Sequence, residues 1–378
     1  MRILLVIDSF FTGGAEFSTL ELFSYLKDNG VEICICKTKE MHPEYDPIAF
    51  GLDVSSIYTL PKVGFLKKRK ALQKIISDFK PDIIHSVLFN SNLMVRSIRI
   101  MDNSFVHLES LVNHTYSENR LKEPGVTKLK LEVYRWLDSI TSYFGTNHFH
   151  PNGYSVAEHY QEKLYISAKK MTVVHRGRNG ERYEVASLLK NDFGITENKL
   201  VLINVGRQEF QKGQDVLLEA ISILPKSILD QIHLLIVGRE GKATLMLNQQ
   251  VKEANLTSQV TFLGHRTDIP ALLNMSDIFV FPSRFEGLPG VLIEAEAASL
   301  PIICTHLSMM LEVVEANQNA LTFEINNSKK LAEAITQLVT DASLRERFAK
   351  KSKSIFIEKF QIQSVHQKMF DLYQKILQ

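Results

Sequence analysis

"KLVLINVGRQEFQKGQDVLLEAISIL", residues 199–224, runs from an apolar stretch of buried-strand length, through a polar loop with a glycine, into a helix-like segment. A second strand-like run, "IHLLIVG" (232–238), follows shortly after. Strand, loop, helix and strand make a βαβ unit, whose strands read as continuous apolar runs because a parallel sheet buries both faces. The same plan stands near the start, as "RILLVID" (2–8), "SFFTGGAE" (9–16), "FSTLELFSYLKDNG" (17–30) and "VEICIC" (31–36). More strand-like runs follow each unit. They are "PDIIHSV" (81–87), "SFVHL" (104–108) and "KMTVVH" (170–175), then "QVTFLG" (259–264), "DIFVFPS" (277–283) and "LPIICT" (300–305). Strands alternating with helices predict an α/β protein of two doubly wound, Rossmann-like domains facing across a cleft. The polar stretch "LLKNDFGITENK" (188–199) is the expected linker, which gives domains 1–190 and 191–360. The last segment, 361–378, is apolar at Val365, Met369, Leu372 and Ile376. It reads as a helix that caps the second domain or crosses back to the first.

Composition sets outer bounds. A chain of 378 residues suggests two or three domains, and 45% hydrophobic with 23% charged residues is ordinary for a globular protein. A net charge of +2 carries no global nucleic-acid signature, so any basic feature is local. Cys34, Cys36 and Cys304 lack metal or redox spacing and fit buried thiols of a reducing cytoplasm. The opening apolar run is too short for a signal peptide, and no segment has the length of a membrane span. A cytoplasmic location is expected.

Chemistry concentrates in "FEGLPGVLIEAEA", residues 285–297, where Glu286 and Glu294 flank a Gly-Leu-Pro-Gly turn. A helix opening at Gly290 leaves unpaired N–H groups at Gly290, Val291 and Leu292, which suit a phosphate. Glu294, one turn in, can reach hydroxyls on whatever carries that phosphate. Acids near a helix start are also stabilised by the dipole, so the pair by itself has two readings. "GRQEFQKG" tilts the choice: Arg207 follows a strand and Lys212 precedes a helix, where a cation opposes the dipole and invites an anion. Gly13 and Gly14 in "TGGAE" offer close backbone approach, although a glycine pair alone is a weak phosphate motif. His148 and His150 share one face of any strand but lack a third metal ligand nearby. His85 and His107 fall in or at the end of predicted strands and are candidates for the cleft.

Together these features resemble the family-4 retaining glycosyltransferases of the GT-B fold. The likeness runs over nearly the whole chain and is most specific in the second half, where "NVGRQEFQKG", "LLIVGREG", "VTFLGHRTD" and "FPSRFEGLPGVLIEAEAASLPIICT" follow the family's order. Glu286 and Glu294 match its E-x7-E motif. The resemblance implies that Glu294 binds the donor ribose and Glu286 the transferred sugar. Arg207 and Lys212 would stabilise the leaving diphosphate, with the backbone of Leu288, Gly290 and Val291 alongside. Gly264, His265 and Arg266 would lie near the base, and Gly13 and Gly14 would approach the donor from the other domain. His107 is the candidate for the family's N-terminal catalytic position, with Glu109 or Ser110 as alternatives, because it stands about two positions early. Ser299 stands where a glycine is frequent. The final helix would return to the N-terminal domain.

The implied reaction is retaining transfer of a sugar from a nucleotide-diphosphate sugar to a glycan, lipid-linked or small-molecule hydroxyl, without metal or other cofactor, in surface polysaccharide or glycolipid synthesis. A GT-B epimerase or phosphorylase is the alternative; a dinucleotide oxidoreductase lacks its glycine fingerprint here, and a non-catalytic nucleotide-binding protein would not need both acids and both cations. No nucleic-acid partner is expected. "KVGFLKKRKALQKIISDF", residues 62–79, is a basic, partly amphipathic helix that suits peripheral contact with an anionic membrane.

Overall fold

In the computed structural model, which describes residues 1–10, 14–39, 47–122 and 126–378, the apolar runs form two six-stranded sheets. The first contains β1 (Arg2–Ile7), β2 (Glu32–Lys37), β3 (Ile57–Thr59), β4 (Ile83–Val87), β5 (Val106–Leu111) and β6 (His148–Pro151). The second contains β7 (Leu200–Val205), β8 (Ile232–Val237), β9 (Val260–Gly264), β10 (Ile278–Phe281), β11 (Ile302–Thr305) and β12 (Ala320–Phe323). Every pairing is parallel. Strand order is β3-β2-β1-β4-β5-β6 in one and β12-β11-β10-β7-β8-β9 in the other. Both are the doubly wound order, and each reverses direction of winding once, between β1 and β4 or between β7 and β10. At such a switch point the loops beyond the carboxyl ends part and leave room for a ligand.

The chain divides into two compact units, Met1–Arg176 with Gln363–Gln378, and Gly177–Ile362. In the first, Ile3, Leu5 and Ile7 of β1 pack with Phe23 of the helix Gly14–Asp28. Val365, Met369, Leu372 and Tyr373 of the helix Ile362–Ile376 join the same cluster. Leu4 and Val6 point the other way, onto Leu72, Ile76, Met94 and Val95, as the period of two requires. In the second unit Leu202 and Ile203 divide between two clusters in the same manner. Residues 188–199 lie inside the second unit, where Ile195 is buried in its core. "KMTVVH" forms an isolated bridge from Met171 to Phe149 rather than a strand. β3, β6 and β12 escape sequence reading because Thr, His or Pro interrupts what would otherwise be an apolar run.

Candidate functional site

The site is assembled at the switch point of the second sheet, from the loops that leave β7 and β10. Glycine makes their close approach feasible. Gly213 has φ 64° and a Cβ there would sit 2.1 Å from the Pro282 carbonyl oxygen; Gly238, just after β8, has φ 146° and a Cβ would sit 2.1 Å from the Gly206 oxygen, so the ends of β7 and β8 approach as closely. Only a residue without a Cβ fits either place. Polar bonds then tie the loops together. Gln211 Nε2 donates to the Phe285 carbonyl at 2.7 Å, and Arg284 N donates to the Gln211 carbonyl at 2.8 Å. The Arg284 guanidinium grips Asp215 in a bidentate pair, at 2.8 and 2.6 Å, and lies 4.0 Å over the Phe210 ring. That geometry, charge-assisted and planar, clamps the short helical turn Phe210–Lys212.

Within this frame Lys212 Nζ donates to Glu286 Oε1 at 2.6 Å and stands 5.4 Å from the Phe281 ring centroid. Ser283 Oγ donates to the same carboxylate oxygen at 2.7 Å. Arg207, one residue past Gly206, is exposed. The helix Gly290–Ala297 begins after Pro289 without a side-chain cap. Its N–H groups at Gly290 and Val291 can therefore meet an anion, whereas that of Leu292, expected to be unpaired, donates to the Pro289 carbonyl at 3.0 Å. Leu288 is buried in the core and Val291 packs against it, so both bring backbone, not side chain, to this place. Lys212 and Glu286 thus form one acid–cation pair beside this helix start.

The second pair is one that sequence reasoning missed. Arg178 Nε donates to Glu294 Oε1 at 2.8 Å, and a Cβ on Gly290 would stand 2.3 Å from Arg178 Nη2. The guanidinium therefore lies over the helix N-terminus, against the positive end of the dipole, with Glu294 offsetting its charge. The available signal is the charged "RGR" at 176–178. Its distance of 116 residues from Glu294 hides the pairing until the fold is known. Farther along the same sheet edge, Gly264 closes β9 with φ 64°, His265 is exposed, and Arg266 pairs with Asp268 at 2.5 Å.

His107 does not join this group. It is fully buried on β5, with Nε2 2.7 Å from Ser86 Oγ and Nδ1 2.7 Å from the Gly145 carbonyl, and burial pushes its pKa down to about 3. It is the second residue of its strand, far from the carboxyl end, which is why it faces packing. Glu109 is equally buried, accepting from Arg96 Nε at 2.8 Å and Thr146 Oγ1 at 3.0 Å. His85 is also inside, between Tyr373 Oη at 2.6 Å and Ser110 Oγ at 2.7 Å. Ser110 Oγ lies 2.9 Å from His150 Nδ1, and His150 Nε2 donates to the Val174 carbonyl at 2.9 Å. His148 bonds Thr172. These histidines bind one another's neighbours, not a cleft. Gly14 opens the helix after β1, exposed; Gly13 lies outside the described residues. Among the described residues no helix is long and apolar enough to cross a membrane.

Comparison with known proteins agrees with this architecture. The model described as Glycosyl transferases group 1 matches residues 186–355, and that described as Glycosyltransferase Family 4 matches residues 12–182. The chain is 25% identical to UDP-Gal:alpha-D-GlcNAc-diphosphoundecaprenol alpha-1,3-galactosyltransferase of Escherichia coli, covering 95% of this chain and 93% of that one. It is 26% identical to the capsular polysaccharide biosynthesis glycosyltransferase CapH of Staphylococcus aureus, over 80% of each. The crystal structure of Anabaena HepE in complex with UDP-glucose superposes with a TM-score of 0.83 at 18% identity, covering 99% of this chain and 100% of that one. With its two matched halves and its two parallel sheets, the chain belongs to the family-4 glycosyltransferases of the GT-B fold.

Proposed function

We propose that this enzyme transfers a hexose from a UDP-sugar to a lipid-linked glycan, with retention and without a metal, in the synthesis of a surface polysaccharide. The observation that carries the donor site is the uncapped helix start at Gly290, flanked by Lys212–Glu286 and Arg178–Glu294. The leaving diphosphate lies on the N–H groups of Gly290 and Val291, with Arg207 and Lys212 on its charge. As the sugar–phosphate bond breaks, charge builds on the phosphate oxygen, and fixed cations and dipoles stabilise that state more than the ground state. Glu286 orients the sugar and Glu294 the ribose. The acceptor hydroxyl attacks from the leaving-group face and gives its proton to the departing phosphate, so the anomeric configuration is kept. UDP as the nucleotide is favoured by the E. coli galactosyltransferase and by the UDP-glucose complex of the Anabaena structure.

For the acceptor, the first unit offers a cavity of about 300 Å³ lined by Phe89, Tyr116, Arg120, Lys130 and Tyr134. Aromatic walls and two cations suit a sugar carried on a diphosphate. The basic helix Phe65–Phe79, with Lys67, Lys68 and Arg69, holds the enzyme at the anionic cytoplasmic face of a membrane, where lipid-linked acceptors lie. A thermal-shift panel of nucleotides and nucleotide-sugars tests the donor reading: UDP at 100 times its Kd stabilises by about 2.7 kcal/mol. An unmoved melting curve with every uridine nucleotide would remove it.

A further inference from the structure

The helix Lys128–Gly145 is built inside out. The residues it buries are Asp138, Ser142 and Gly145. Its outward face is Leu129, Val133, Trp136, Leu137, Ile140, Tyr143 and Phe144, with exposures from 40% to 77%. Their spacing of three and four residues keeps all seven on one stripe. The polar side has a physical reason to face inward. Asp138 pairs with the buried Arg96, Tyr116 Oη donates to Asp138 at 2.5 Å, and a Cβ on Gly145 would stand 2.7 Å from that of Arg96. Ionic bonds and close approach thus hold the helix, and its apolar face is left uncovered by the described residues. A contiguous apolar stripe of this kind marks an interaction surface.

We infer that this face inserts into an anionic lipid surface. Cations frame it: Lys130 Nζ stands 6.0 Å from the Tyr134 ring centroid and Lys170 Nζ 5.7 Å from that of Tyr143, with Lys128 and Lys169 adjoining in sequence. Tryptophan and tyrosine prefer the boundary between acyl chains and headgroups, and lysines beside them reach the lipid phosphates. The basic helix Phe65–Phe79 continues the same side of the sheet, because Arg69 Nη2 donates to the Ser97 carbonyl on Phe89–Arg99, the helix that carries Arg96. Electrostatic attraction supplies orientation and the apolar stripe supplies penetration. Lys130 and Tyr134 of the same helix line the cavity described above, so insertion brings that cavity to the lipid plane. The inference deepens the membrane reading of the preceding subsection and rests on it for its biological purpose only.

Trp136 belongs to the stripe and is the single tryptophan of the chain, so intrinsic fluorescence reports this face alone. The full-length protein is mixed with phosphatidylcholine vesicles with and without phosphatidylglycerol, and with the same vesicles carrying brominated acyl chains. Insertion shifts Trp136 emission to the blue and quenches it with bromine, only where phosphatidylglycerol is present. Leu137→Glu with Ile140→Glu weakens vesicle partition by about tenfold or more while the UDP-induced melting shift is kept. Vesicle binding that is lost in Lys67→Glu/Lys68→Glu/Arg69→Glu, with Trp136 unquenched in the wild type, sinks insertion and keeps surface contact. No binding to any vesicle sinks both. Blue-shifted emission that follows protein concentration without lipid, with a dimer in sedimentation, assigns the face to a second copy and overturns the proposal.

Discussion

The two units share one strand order and use its switch point in opposite ways. In the first, Asp8 at the end of β1 turns onto the helix that follows β4, accepting from Ser91 N at 3.0 Å and Ser91 Oγ at 2.6 Å. In the second, Gly206 and Arg207 follow β7, and the helix that follows β10 starts with no side-chain cap. One helix start is already closed by a carboxylate; the other lies among cations, with Arg178 over it. Charge distribution follows the same division. The first unit buries its ions and imidazoles between sheet and helices, as in Arg96–Glu109–Asp138 and His85–Ser110–His150. The second places Lys212, Glu286, Arg178 and Glu294 at the carboxyl edge. Identical topology therefore does not imply equivalent sites; the residue after the first strand of each unit decides what the helix start can bind.

The largest expected effect is on stability in the first unit. Arg96→Ala leaves Glu109 and Asp138 as unpaired buried acids and costs about 3–5 kcal/mol, read by denaturant unfolding. A loss below about 1 kcal/mol would mean that the ions are solvated and the contrast between units is false.

Next come the cations of the second unit. Lys212→Ala and Arg207→Ala each lower turnover by about a hundredfold to a thousandfold, or about 2.7–4 kcal/mol in the barrier, with the fold intact by circular dichroism. Glu294→Gln acts instead on donor affinity, by about tenfold, since the ribose is held alike in ground and transition states. Near-normal turnover in both basic variants would put the diphosphate elsewhere.

The buried imidazoles of the first unit and the buried Glu296 of the second answer pH with opposite signs. Burial lowers the pKa of His107 to about 3 and of His150 to about 4, and that of His85 well below its ordinary value. Unfolding lets these imidazoles take up protons. The first unit therefore has this stability in full above about pH 6.5 and loses it, by a few kcal/mol, as pH falls toward the native pKa values. Glu296, fully buried in the second unit, has its pKa raised by burial, with Asn319 Nδ2 donating at 2.9 Å. Its native state holds the proton, so this contribution is present below the ordinary carboxylate range and is lost as pH rises. Hydrogen exchange between about pH 7.5 and 5 checks this: β4 and β5 amides open on acidification before β10 and β11 do. Simultaneous opening of all four strands would contradict it.

Smaller effects test details. Asp8→Ala destabilises by about 1–3 kcal/mol through the lost cap and leaves UDP binding unchanged; weaker UDP binding would mean that the first unit's helix start also serves the donor. Ser299 has φ 59°, so Ser299→Gly raises stability by about 1 kcal/mol in thermal unfolding.

Much of this was legible in the chain. Apolar runs of strand length alternating with helix-like segments determine a doubly wound fold locally, since buried parallel strands and half-buried helices have different periods. Gly290 and the acids at 286 and 294 mark a helix start that suits an anion, although the helix dipole alone also accounts for acids there. What only tertiary structure decided depends on neighbours far apart in sequence. Arg178 meets Glu294 across 116 residues, and His107 reads as a candidate until the strand places it beneath a helix. The helix Lys128–Gly145 shows why: its pattern locates an apolar face, but the buried Arg96 decides that the polar face turns inward and the apolar one outward. Periodicity records which residues share a face. Only packing says which face meets the protein and which is left for something else.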